Sequence, residues 1–555
     1  MNHIKTNITH LLIILFSIST YQLQGQDQSF KKHISYLASE ELAGRLTGSE
    51  GEKLAGDYIA KSFSEAGLVA GGENGTWFQT FSFVKFRLAS MSEPLDFYGI
   101  TSLQPYKYFY PLTYSCDTAN ISSMPLQGVS YGFRDSGDFD SIDTLTGIAV
   151  VMAGLPSEVS PHSTEAMQAD LPKRIRLLQQ KGAKAIIICK PYTGFTDVPE
   201  KGLKVRGFQA NIPVIYADTT YAFITGYPEA AFQYVIHKIM GEGRNVVGVT
   251  PKKKKSTVII GAHYDHIGRG ELGGSRKDTF ASHYGADDNA SGTAMIMELA
   301  KAVKNKKLNK HRYVFVAFSG EELGLLGSHY FANNPSTPIP NTRAMLNFDM
   351  VGRMDTIAPK LYVGGTGTCI TWDKLLNEIE DSSKLFISKD PKGTGATDHT
   401  NFYYKQIPVL SFFTGLHNEY HTPNDIEALI NYNGMTKVYD YVYEVLLKLN
   451  HKKYRKGVFQ SVKEEKKEAS SFKVTLGVMP DYGYSGQGLK ISGANKGGPA
   501  EIAGLIGGDV VTKIGTHDIS DIYAYMKVLS LFKKGDTTTI VFLREGENKE
   551  AQVTF

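Results

Sequence analysis

Five short stretches of this chain carry residue types that could do chemistry, and each lies where an apolar run begins or ends. Gly261-Ala262-His263-Tyr264-Asp265-His266 follows the β-branched run Ser256–Ile260, which reads as a buried strand delivering His263 and Asp265 to a loop. Gly285-Ala286-Asp287-Asp288-Asn289-Ala290-Ser291-Gly292 precedes a helical pattern, where Asp and Asn are ordinary N-cap residues. Phe318-Ser319-Gly320-Glu321-Glu322 sets two adjacent carboxylates after the apolar strand Tyr313–Phe318, and Asn347-Phe348-Asp349-Met350 ends another strand with a carboxylate. Glu419-Tyr420-His421-Thr422-Pro423 places an imidazole in a loop after Phe412-Phe413. Singly, each has a plain reading as a polar strand end, a helix cap or a solvated loop. Jointly, two histidines and several carboxylates at one edge of one sheet offer nitrogen and oxygen donors of the kind zinc takes. Metal-assisted hydrolysis is the chemistry such a set could perform.

The elements that must position these residues alternate. Strands are expected at 256–262, 312–318, 343–348, 360–363 and 407–412, and helices at 289–305, 324–332, 371–382 and 433–450. That alternation predicts an α/β fold with a mostly parallel, helix-covered sheet, whose carboxyl edge is the usual place for a site. Upstream, Ser29–Leu68 has helical spacing, with Leu37, Leu42, Leu54, Tyr58, Ile59 and Phe63 on one stripe, and Trp77–Lys85 reads as a strand. From residue 98 the texture changes to short β-like runs. Gly147–Met152, Ala185–Ile188 and Ile212–Ile215 are buried-type strands, and Arg174–Lys181 is a short helix ended by Gly182.

At 555 residues the chain suggests three or four domains of about 150 residues. Its composition, 42% hydrophobic and 21% charged, is that of a folded protein with ample core, and a net charge of +4 argues against a nucleic-acid binder. Lys252–Lys255 lies between apolar runs and reads as a solvated turn. Lys5, the apolar core Leu11–Ile18 and the polar Gln22, Gln24 and Gln26 resemble a secretory signal peptide cleaved near Gly25, so a periplasmic or secreted protein without a stable membrane span is expected. Three cysteines, Cys116, Cys189 and Cys369, exclude a disulfide framework. Either Cys116 pairs with Cys189 or all three are free thiols.

Three family resemblances organise the chain. The set HYDH, GADDNASG, SGEELGLLGS, NFDMVG and EYHTPND resembles the co-catalytic dizinc aminopeptidase family, which includes glutamate carboxypeptidase II and the transferrin receptor. The block 98–240 resembles the protease-associated domain, a β-rich insert of secreted peptidases. Leu476–Met479, Gly498–Leu505 and Gly508–Val511 resemble a bacterial PDZ domain, a module that captures extended peptide ends. The implied organisation is a signal peptide at 1–25, a zinc exopeptidase fold at 26–97 and 241–450, the insert at 98–240, a charged linker at 451–471 and the PDZ domain at 472–555.

The first resemblance implies a site of two Zn²⁺ ions. His263 and Asp349 would hold one, Glu322 and His421 the other, and Asp288 would bridge them. Glu321 would be the general base and acid, working on water activated between the ions. Asp265 would orient His263, Tyr420 would donate to the developing oxyanion, and the peptide after Asp288 would be cis. Asp398-His399 matches a motif near the pocket, as a structural pair or a substrate contact. Peptide substrates and an aminopeptidase activity follow. A carboxypeptidase or dipeptidase would share these metals but needs a cation for the terminal carboxylate, and only Arg353 in these motifs offers one. A single-zinc glutaminyl cyclase is disfavoured by retention of His263 and Asp288, and a peptide-binding protein with a silent site by retention of Glu321.

Overall fold

Seven consecutive buried residues, Thr257–His263, form the middle strand of the sheet that carries these motifs. Such a strand must be covered on both faces, and it is apolar throughout except at its ends. Gly261 lacks a side chain for a reason: a Cβ there would lie 2.4 Å from the ring of Phe318 on the adjacent strand. The computed structural model describes residues 26–555 except 135–136, 140–141, 157, 160–167, 192–202, 204–207, 278, 381–384, 455–456, 463–473, 481–486, 495–496, 521 and 534. The expected signal peptide and residues 463–471 of the expected linker lie outside the described residues.

In the first compact unit, which includes residues 242–467, the strand order is Phe386–Asp390, Lys360–Gly364, Val409–Phe413, Thr342–Phe348, Thr257–His263, Arg312–Phe318, then the end of Glu229–Val249. The four central strands, Val409–Phe413 through Arg312–Phe318, are mutually parallel. Lys360–Gly364 runs antiparallel to Val409–Phe413 but parallel to Phe386–Asp390, and residues 246–249 run antiparallel to Arg312–Phe318. The register pairs His263 with Phe318, Gly261 with Asn347 and Phe348 with Phe412, so the carboxyl ends finish at one level. The strand Phe386–Asp390 and the short helix His399–Tyr403 are additions to the expected set.

Two helical expectations are corrected. The stretch 29–68 is broken: a helix at 26–37 gives way to turns before Glu50–Glu65 resumes. Gly44 and Gly48 adopt positive φ there, and a Cβ on Gly44 would lie 2.4 Å from the Gly268 carbonyl oxygen. The helix expected from residue 289 begins at Gly292, because Asp288 and Asn289 leave helical geometry. Gly292–Ala300 are all buried, as a helix central to a core requires.

The second unit spans residues 84–241 and the C-terminal region from 486, with 468–480. In the insert, Thr118–Gly128, Ile148–Met152, Ala185–Lys190 and Val214–Thr220 run parallel, with Phe109–Pro111 antiparallel at the edge. Leu171–Gln180 is the expected helix, and Gly182 closes it at φ +102°. The C-terminal sheet orders Val478–Pro480, Leu489–Ala494, Val510–Ile514, Thr537–Arg544 and Glu547–Thr554, all antiparallel. Its core includes Leu476, Leu489, Ile491, Val511, Ile540 and Phe542. Asp509 of the Gly-Asp-Val motif is buried and takes two 2.7 Å hydrogen bonds from Arg544, a bidentate pair that fixes the turn. Cys116, Cys189 and Cys369 are free thiols, so the pairing alternative is set aside. Among the described residues no helix is long and apolar enough to cross a membrane.

Residues 451–454 and 457–462 do not behave as a free linker. The Tyr454 carbonyl accepts from the buried guanidinium of Arg343 at 2.9 and 3.1 Å, Phe459 pairs with Cys369, and the Gln460 N–H donates to the Thr368 carbonyl. Lys- and Arg-rich sequence hid these contacts, which are made largely by backbone atoms.

Candidate metal centre

His263 is the last residue of its strand, and its imidazole is fixed at both ends. Nδ1 donates to the Asp265 carbonyl oxygen at 3.1 Å, which leaves Nε2 facing Asp288 Oδ1 and Asp349 Oδ1, each at 3.3 Å. Asp349 directly follows the Thr342–Phe348 strand, and its N–H donates to the Phe412 carbonyl. His421 follows the same logic: Nδ1 donates to Gly274 O at 2.9 Å, and Nε2 faces Asp288 Oδ2 at 3.1 Å and Glu322 Oε2 at 3.2 Å. Asp288 therefore directs one oxygen to each imidazole. These side chains are buried or nearly so.

The turn bearing Asp288 is anchored by its neighbours. Asp425 accepts from the N–H groups of Asp287 and Asp288, and Asp287 accepts from Gly352 N and Ser291 Oγ. Asn289 Oδ1 accepts from the N–H of Gly292, the first residue of the helix, whose N-cap position is Ser291 rather than an Asp or Asn. The Asn289 amide also donates to the Phe348 carbonyl, tying the turn to the strand that carries Asp349. The Asp288–Asn289 peptide is cis, as the resemblance implied.

Two groups of donors result: His263, Asp288 and Asp349, and His266, Asp288, Glu322 and His421, each with ligand atoms within 4.8 Å of one another. Zinc bonds of about 2.0–2.2 Å in tetrahedral geometry put ligand atoms about 3.3–3.6 Å apart. The observed 3.1–3.3 Å separations at Asp288 come close to that. Electrostatics agrees. Burial alone would pull the imidazoles down, yet the surrounding carboxylates raise His263 well above its usual value and push His421 up to about 11. Burial would push Asp288 up, but His263, His421 and His266 hold it well below the usual carboxylate range. A buried site that favours positive charge this strongly, with only nitrogen and oxygen donors, fits zinc.

Residues 245–446 match peptidase family M28, and residues 460–555 match the PDZ domain. The chain carries a peptidase family M28 domain. Aminopeptidase YwaD of Bacillus subtilis is 28% identical over 303 residues, covering 52% of this chain and 59% of that protein. Leucine aminopeptidase 2 of Trichophyton rubrum is 32% identical over 180 residues, 31% of this chain and 33% of that protein. The solved structure of a zinc aminopeptidase from Bacillus subtilis aligns at a TM-score of 0.45 and 22% identity, covering 76% of this chain and 94% of that one.

Within the M28 domain, the structure brings together all five expected metal-binding side chains. Glu321 stands outside both donor groups; its N–H donates to Asp265 Oδ1 at 3.1 Å, and burial pushes its carboxyl up. Asp265 differs from its expected part. Its carboxylate lies 3.8 Å from His263 Nδ1 and instead accepts from Thr47 Oγ1 and Glu321 N, so its carbonyl rather than its carboxylate meets the imidazole. Tyr420 stacks on His421 with ring centroids 3.9 Å apart. Asp398 is wholly buried, and burial pushes it up to about 7; His399 bonds Thr397 and is pulled down by burial to about 4. Arg353 pairs with Glu419 at 3.1 Å.

Sequence reasoning gave no role to His266, Arg45, Glu52 or Asp425. His266 was visible in HYDH, three residues after His263. Arg45 and Glu52 carried no signal, because each reaches the site's supports from far away in the chain. Arg45 donates to the carbonyls of Tyr264, Tyr284 and Gly285, and Glu52 accepts from Ser319 Oγ beside the two glutamates.

Proposed function

We propose that this chain is an exported, dizinc aminopeptidase that hydrolyses N-terminal residues from peptides. The observation that carries the reading is the division of Asp288, with one oxygen toward His263 and Asp349 and the other toward His421 and Glu322. When bound, paired zinc ions supply a Lewis acid for the scissile carbonyl and lower the pKa of water between them. Glu321, free of the donor groups, takes the proton of the attacking water and passes it to the leaving amine. Tyr420 donates to the oxyanion that develops on the carbonyl. The acidic face of Glu321, Glu322 and Asp349 suits a protonated α-amine. Arg353, the cation that a carboxypeptidase would need, is engaged by Glu419. Aminopeptidase function in the named relatives supports the same direction. The PDZ domain would bring a peptide or protein terminus, and the signal-peptide-like start would carry the protein to the periplasm or outside the cell.

The test is a pair of aminoacyl reporters differing only in N-acetylation. The free-amine reporter should be cleaved, zinc-dependently, and its acetylated twin hardly at all. Equal cleavage of both, with residues released from the C-terminus, would overturn the aminopeptidase direction.

A further inference from the structure

The two donor groups are unequal, and the difference is His266. Its ring is buried, and its backbone N–H donates to the Arg45 carbonyl. Gly285 presses on its face, where a Cβ would lie 2.7 Å from Cγ and Cδ2. The ring meets that of His421 edge-on, with centroids 5.6 Å apart. Its Nδ1 lies 2.8 Å from Glu322 Oε1 and 3.8 Å from Asp288 Oδ2, whereas the buried Nε2 has no hydrogen-bond partner among the described residues. The polar contacts of this imidazole thus all point into the cluster. Arg45 reinforces the pose by holding the carbonyls of Tyr264 and Gly285 on either side.

We propose that His266 is a sixth metal ligand, giving one site four protein donors against three at the site of His263, Asp288 and Asp349. This rests on the dizinc reading above and goes beyond the five ligands that reading requires. Zinc can take a fifth ligand, so four protein donors still leave a place for water, and the ion with the extra donor is held more firmly. The ion held by His266, Asp288, Glu322 and His421 is therefore the slowly exchanging one. The ion at His263 exchanges more readily. His266 uses Nδ1, in contrast to His263 and His421, which donate from Nδ1 and present Nε2.

X-ray absorption on the full chain carrying one equivalent of zinc tests this without a variant. Two imidazoles on the zinc are expected; a single imidazole overturns the proposal. Zinc titrations of His266→Ala and His266→Asn, with folding checked by circular dichroism, give a second arm. Both variants should bind the tighter ion more weakly by more than the ~10–100-fold that losing an outer partner costs, with the second ion little changed. Asparagine can still donate to Glu322. If His266→Asn binds like wild type while His266→Ala does not, His266 only orients Glu322, and the proposal fails. It fails equally if His266→Ala binds both ions as wild type does. Absence of zinc binding by the wild-type chain would remove the dizinc reading itself, and this with it.

Discussion

Glu321 and Glu322 are adjacent, yet the fold shifts their carboxyls in opposite directions. Burial pushes Glu321 up, aided by Glu322 and Asp349 and opposed by His263. Burial and Asp288 would raise Glu322 as well, but His266 and His421 more than offset them. If that division reflects a base beside a ligand, Glu321→Gln should retain two zincs and lose about 10²–10⁴-fold in turnover. Metal analysis alongside kcat decides it, and a lost zinc would make Glu321 a ligand instead. A second buried carboxyl gives a pH test. Glu52 accepts from Gly48 N and Ser319 Oγ, and burial pushes it up to about 8. An acid whose folded pKa is raised holds its proton more tightly in the folded chain. Its stabilising effect is therefore full below about pH 4.5 and lost as pH rises toward about 8. Glu52→Gln stays neutral, so its melting temperature relative to the parent should climb between about pH 5 and 8 and level off above. Thermal unfolding across that range measures it, and a pH-independent difference would contradict the assignment.

At the scale of elements, the site is the meeting of four strand ends and one helix start. Gly292 opens that helix where a Cβ would lie 2.4 Å from both the Phe348 carbonyl and Asn289 Oδ1. The helix start, the Asp288 turn and the Asp349 strand therefore pack without space for a methyl. Gly292→Ala should cost about 1–3 kcal/mol, as overpacking does, and should also lower zinc affinity by separating Asp288 from Asp349. Denaturant midpoints and zinc titration read the two effects, and a stable variant of normal zinc content would show that the junction yields. The glycine-rich stretch after His266 acts similarly on the other side, since Gly274 O and Arg276 N both bond His421.

For the whole molecule, the boundary of the peptidase unit is set by Arg343. Its guanidinium is buried under Trp372 and donates to the Tyr454 carbonyl, beyond the last helix of the unit, Tyr432–Asn450. Removing residue 451 onward would take away the carbonyl acceptor of this buried charge and leave it only Thr371 Oγ1 and Cys369 Sγ, at a cost of about 1–3 kcal/mol. A chain ending after Val462 should keep zinc and short-peptide turnover, whereas one ending at Asn450 should unfold at lower temperature. Thermal melts and reporter assays on the two truncations separate the cases. If the Val462 form folds, holds zinc and is inactive, the C-terminal region contributes to the site or to its closure.

The alternation of strands and helices, and the position of His263, Glu321 and Asp349 at or just past strand ends, were legible in the sequence by itself. Apolar runs such as Ser256–Ile260 and Tyr313–Phe318 have a local cause, burial on both faces, that needs no tertiary information. The five metal-binding candidates were legible because metal chemistry demands particular side chains and because they sit in distinctive motifs. Only the tertiary structure could decide which neighbours complete the site. His266 shares a motif with His263, but its contact with Glu322 depends on how two strand ends align. Arg45, Glu52 and Asp425 act across long stretches of chain on backbone groups, and a backbone partner leaves no mark in the sequence. The same holds for residues 451–454 and 457–462, whose charged composition masked docking through carbonyls and amides. Local patterns record what a residue needs around it, and the fold alone records which distant residue provides it.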